Sequence, residues 1–76
     1  MKATAVQRIL TSLYEAKPTP KTIHVITSRN AYPIHPRQDE EHTTFEVVQI
    51  DNVLELGQGD DTTTWIDCDD IVAIEL

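Results

Sequence analysis

Two strand-like runs near the end of the chain, TTTWID and IVAIEL, are separated by only Cys68-Asp69-Asp70. This spacing constrains the fold most, because a link of three residues suits a single 3₁₀-like turn that redirects the chain sharply. The terminal run alternates and is rich in β-branched residues, with Ile71, Val72, Ile74 and Leu76 and no Pro or Lys. A strand of that composition presents unpaired backbone groups that invite another strand.

Before this pair the pattern is one helix followed by strands. In TAVQRILTSLYEAKP, Val6, Ile9, Leu10 and Leu13 follow the i, i+3, i+4, i+7 spacing of an amphipathic helix, with Tyr14 at the stripe's margin. Thr4 and Gln7 have capping-box spacing, and Pro18 ends the helix by disfavouring α geometry at Lys17. The spacing thus predicts a helix over about 4–17. KTIHVITS places Ile23, Val25 and Thr27 on one strand face. AYPIHP continues or pairs with it, and Pro33 and Pro36 confine that piece to an edge or a bulge. TTFEVVQI and VLELG are strands around Asp51-Asn52, which form either a tight turn or a bend in one long strand. GQGDD is the strongest turn signal.

The expected architecture is mainly β: an N-terminal α-helix followed by a five-stranded, strongly bent small β-barrel, Sm-like or SH3-like, over about 21–76. One domain, 1–76, is all that this length supports, since chains of this size bury only about 60% of their unfolded surface. A single cysteine allows no internal disulfide and no cysteine-based zinc site, so burial against other copies is an attractive remedy. No apolar run reaches a membrane span of about 18 residues, and MKATAVQRIL lacks the apolar core of a signal peptide, so a soluble cytoplasmic protein is expected.

Charge is segregated along the chain. Residues 1–38 hold all six bases (Lys2, Arg8, Lys17, Lys21, Arg29, Arg37) and one acid, Glu15, for +5. Residues 39–76 hold twelve acids and no base, −12, which gives the net −7. Either one solvated face is acidic, or the subunit is bipolar and its basic part meets an anion or a neighbouring copy.

The ending TWIDCDDIVAI resembles the second sequence motif of Sm-like (LSm/Hfq-related) proteins. Trp65 and Ile66 match its incoming apolar pair, Asp67 and Cys68 its Arg-Gly, Asp69 and Asp70 its polar turn, and Ile71 and Ile74 its closing apolar positions. IDNVLEL places Asn52 at that family's uracil-contacting asparagine. Departures are plain: Asn30-Ala31 stands in place of Asn-Gly, no glycine precedes Gly57, and acids occupy the basic positions. The resemblance implies a cyclic homo-oligomer of five to seven copies, built by pairing penultimate and last strands of neighbours. Its interface would involve Trp65, Ile71, Val72, Ile74 and Leu76. It also implies single-stranded RNA near Asn30, Asn52, Asp67, Cys68 and Asp69, and a ring would repeat the bases Arg8, Lys17, Lys21 and Arg29 of the basic half around its circumference as a local contact face.

Catalysis is not written here. His24, His35 and His42 lack zinc-ligand spacing even with Asp39, Glu40 and Glu41 nearby, and the Asp60-Asp61 and Asp67–Asp70 acids lack a calcium-loop pattern. Neighbouring acids raise the Cys68 thiol, and no nucleophile motif or phosphate-binding glycine loop is present, so neither enzyme activity nor a cofactor is expected. Trp65 alternates as barrel core, the competing reading being a stacking platform for a base; Tyr32 and Tyr14 share that ambiguity. Two functions remain: a non-enzymatic ring that binds RNA, or an acidic interaction and assembly module without a nucleic-acid ligand.

Overall fold

A computed structural model describes residues 1–36, 42–59 and 61–76. Helix α1 spans Ala3–Glu15, and six strands follow: β1 Ile23–Thr27, β2 Ala31–Ile34, β3 Thr44–Val48, β4 Val53–Gly57, β5 Thr63–Asp67 and β6 Ile71–Glu75. They form two antiparallel three-stranded sheets, β2-β1-β6 and β3-β4-β5. Among the described residues neither sheet closes into a barrel, and there are six strands where five were expected. The barrel expectation is therefore corrected to a small mixed domain of one helix and two open sheets.

Local chemistry explains both corrections. The extra strand arises because Thr27 makes its own turn: its backbone N–H donates to the Asn30 carbonyl at 2.8 Å, and its hydroxyl accepts from the Asn30 N–H at 3.0 Å. This folds AYPI back as β2, an edge strand where Pro33 is tolerated. β5 and β6 fall in different sheets because Cys68–Asp70 is a 3₁₀ turn containing no positive φ, so it does not supply the left-handed residue of a tight hairpin. Asp67 instead accepts from the Asp69 N–H at 2.9 Å, and the chain leaves β5 to pair with β1 in the other sheet. The second tight link does form a hairpin. Gln49–Asp51 is also a 3₁₀ turn, but Asn52 follows it at φ 56°, ψ 42°, and β4 returns along β3.

The sheets meet at a neck between β2 and β3. The Thr43 N–H donates to the His35 carbonyl at 2.6 Å, and the His35 N–H donates to the Thr43 hydroxyl at 3.1 Å. Thr43 is buried there. Tyr14 reaches the same point from α1, its hydroxyl donating to the Thr43 carbonyl and its ring meeting Phe45 edge-on at 4.7 Å.

Between the sheets lies one core. Ala3, Val6 and Leu10 from α1 pack with Ile23, Val25 and Ile34 of one sheet and Leu54, Leu56 and Ile66 of the other. Cys68 and Ile71 complete it. The helix stripe is Ala3, Val6 and Leu10, so Ile9 is displaced from its expected place and is only half-buried. Thr4 and Gln7 make no capping box. The helix starts at Ala3 after an extended Lys2, no side chain caps it, and Gln7 Nε2 donates along the helix to the Thr11 hydroxyl at 3.1 Å. It ends two residues short of expectation, with Ala16 extended ahead of the cis Lys17-Pro18 bond.

Candidate interaction surface

The strand order leaves β5 and β6 as the outer members of their sheets, joined by the three residues of the Cys68–Asp70 turn. Each pairs with one neighbour, β5 with β4 and β6 with β1, and the opposite border of each carries no ladder among the described residues. The other two outer strands are protected: β2 carries Pro33, and β3 is flanked by α1 and the Thr43 neck. No Pro or Lys interrupts β5 or β6.

Among the described residues, three of the four large exposed apolar side chains lie on or beside these strands; the fourth, Ile50, is 94% exposed in the Gln49–Asp51 turn. Trp65 is 66% exposed, Val72 63% and Leu76 74%. Trp65 is thus corrected from barrel core to surface. Its parity decides this, because Ile66 and Thr64 take the inward positions of β5 opposite Leu54 and Leu56, leaving Trp65 outward opposite Glu55. Val72 projects from a bulge: Ile26 faces Ala73 and Thr27 faces Ile71, so Val72 has no partner residue on β1. Ile71 is 2% exposed and belongs to the core, and Ile74 packs against the core opposite Val25. Of the five residues expected at the subunit interface, three therefore present side chains outward.

The residues that the Sm resemblance assigns to RNA divide into groups. Asn52, Asp67, Cys68 and Asp69 come together, since Val53 pairs with Asp67 and the Cys68 N–H donates to the Asn52 carbonyl at 2.9 Å. Arg29 and Asn30 lie in the β1–β2 turn at the same end, because Thr27 pairs with Ile71 just beyond Cys68–Asp70. Both are exposed. Arg8 is on the outer side of α1, and Lys17 and Lys21 sit in the connection to β1, all exposed. Asn30 Nδ2 donates to the Tyr32 hydroxyl at 3.4 Å, and the Tyr32 ring lies half-buried against the core.

Cys68 is fully buried and its thiol is raised above the usual range by burial first and Asp67 second. The Met1 ammonium opposes that shift, donating 2.9 Å bonds to the Cys68 and Ile71 carbonyls. A thiol so placed is a packing group in a tight turn, as its neighbours in sequence imply. His35 Nδ1 is bonded to the Thr22 hydroxyl and the Lys21 carbonyl, both at 3.3 Å. Asp39, Glu40, Glu41 and Asp60 lie outside the described residues. Among the described residues, no three His, Cys, Asp or Glu side chains gather where an ion could be held.

The chain matches no family model, no curated protein and no solved structure. No helix among the described residues is long and apolar enough to cross a membrane.

Proposed function

We propose that this chain is an assembly module that joins copies of itself by strand pairing, β5 of one copy adding to β6 of the next. The observation carrying this reading is that both strands are open borders, lie on either side of one three-residue turn, and bear the exposed apolar residues Trp65 and Val72. Pairing two different borders is head-to-tail, so it closes into a ring or continues as a filament according to the rotation between copies. The Sm resemblance adds its own expectation of five to seven copies.

Nucleic acid is not required by this reading. The end where Asn52, Asp67, Cys68 and Asp69 meet also exposes Asp51 and Asp70, and such a cluster repels phosphate. The exposed bases Arg8, Lys17, Lys21 and Arg29 are divided among a helix, a connection and a turn.

Light scattering after gel filtration at micromolar concentration tests the assembly. Wild type is expected to run as a multiple of 8.6 kDa, and Val72→Lys, which puts a charge on an exposed bulge, as a folded monomer. A monomeric wild type sinks the proposal. In parallel, short U-rich and A-rich RNAs are expected to give no salt-sensitive anisotropy change at about 20 mM salt, where screening is weak; submicromolar binding that Arg8→Glu weakens would establish the RNA reading in its place.

A further inference from the structure

The outer face of β3-β4-β5 carries, beside Trp65, a pair of acids that self-pairing at strand borders leaves unused. Register places Glu46 directly opposite Glu55, and Glu55 directly opposite Trp65, so one row across the sheet reads Glu, Glu, Trp. The next row on that face is Val48, Val53 and Asp67. Like charges directly opposite each other destabilise a sheet. The chain has no base after Arg37, so no residue of these strands can neutralise the pair. Neither glutamate makes a hydrogen bond or ion pair among the described residues. Beside them Trp65 leaves 66% of its surface in water.

We propose that this face docks an arginine-bearing segment of a partner protein, with the guanidinium stacked on Trp65 and forked onto Glu55 and Glu46. Each part of the row then has a use. The indole face attracts a cation, and the planar guanidinium both stacks on it and pairs with carboxylates, which a lysine ammonium cannot do in one pose. Half-buried Val53 and Val48 give the arginine methylenes an apolar floor. Docking also removes the Glu46–Glu55 repulsion that the isolated sheet carries. A separate basic chain is the occupant because residues 39–76, which build this sheet, hold twelve acids and no Lys or Arg and so attract a cationic segment.

Trp65 is the only tryptophan, so its emission reports the event directly. The probe is the peptide acetyl-Ala-Arg-Ala-Arg-Ala-amide, with its Gln-for-Arg and Lys-for-Arg analogues as comparators, titrated at about 20 mM salt. A saturable emission change is expected with the arginine peptide, a several-fold weaker one with lysine and none with glutamine. Glu55→Gln is expected to weaken binding about tenfold, equivalent to about 1.4 kcal/mol, whereas Glu15→Gln, the same charge change on exposed α1, leaves it within about twofold. Calorimetry with Trp65→Ala is expected to show no binding, with an unchanged melting curve confirming its fold.

Equal weakening by Glu15→Gln and Glu55→Gln would reduce the effect to net charge and overturn the proposal. Trp65 emission that responds to dilution of the protein but not to the peptide would make a second copy the occupant and overturn it equally. The proposal does not rest on strand-border assembly: Val72→Lys is expected to bind the arginine peptide as wild type does, whatever its oligomeric state.

Discussion

Tyr14 is the side chain through which helix, neck and second sheet are held together, and its hydroxyl makes that arrangement testable by pH. It donates to the Thr43 carbonyl, beside the 2.6 Å bond between Thr43 and His35, while its ring packs edge-on against Phe45. Burial pushes its pKa from 10 up to about 12, because the phenolate would lose its hydration. The folded state therefore favours the protonated phenol. The resulting stability is fully present below pH 10 and is lost as pH rises toward 12. A change from 10 to about 12 corresponds to at most about 2.7 kcal/mol. The phenol is only half-buried, so screening by water reduces this to about 1 kcal/mol. Tyr14→Phe keeps the ring and removes the hydrogen bond, at a cost of about 1 kcal/mol at pH 7. In a domain of this size that lowers Tm by about 4–8 °C. Thermal melts by circular dichroism should show the difference at pH 7 and its disappearance by pH 12. Equal Tm values at pH 7, or a gap that persists unchanged at pH 12, would refute the placement of this hydroxyl.

Two further pairs of substitutions probe the packing. Leu10→Ala empties a fully buried position and should cost about 2–5 kcal/mol, whereas Ile9→Ala, one residue away but half-exposed, should cost well under half as much; similar urea midpoints for the two would contradict the observed helix face. At Gly57 a β-carbon would fall 2.5 Å from the Thr44 hydroxyl, so Gly57→Ala should destabilise by about 1–3 kcal/mol and Thr44→Ala added to it should recover most of the loss, as measured in a chemical-denaturation cycle.

Elements governed by local periodicity were legible in the sequence. Alternation in Ile23, Val25 and Thr27 marked β1, Pro18 marked the helix limit, and the short Cys68-Asp69-Asp70 link marked a 3₁₀ turn. What was not legible depends on partners far away in the chain. Trp65 and Ile66 are adjacent and both apolar, and only the register against Glu55 and Leu54 decides which enters the core. The division into two sheets likewise depends on β6 choosing β1, whose paired residues lie 44 to 51 positions earlier, over its immediate neighbour β5. Closer reading of Thr27–Asn30 could have found the β1–β2 turn, because a threonine hydroxyl accepting from the next backbone N–H groups is a local signal. The helix start gave the opposite lesson: Thr4 and Gln7 had capping spacing, but burial of Ala3 draws the first turn one residue earlier.

Exposed apolar residues on a small domain need no explanation when they are scattered, since most of a folded surface is apolar in any case. Trp65, Val72 and Leu76 are not scattered in that sense: they fall on or beside the two strands whose backbone borders are also open. Side-chain and main-chain demands for a partner therefore coincide on these two strands, in a domain with no disulfide to stabilise it. The same strands and the turn between them expose Asp67, Asp69, Asp70 and Glu75. These carboxylates oppose indiscriminate sheet growth, because any incoming strand of like charge is repelled before its hydrogen bonds can form. Pairing between copies must then meet two conditions at once, a ladder that completes both borders and a register that keeps the acids apart. An arrangement meeting both selects one geometry from the many that an uncharged border would accept, and this is how a border open to pairing yields a defined assembly and not an aggregate.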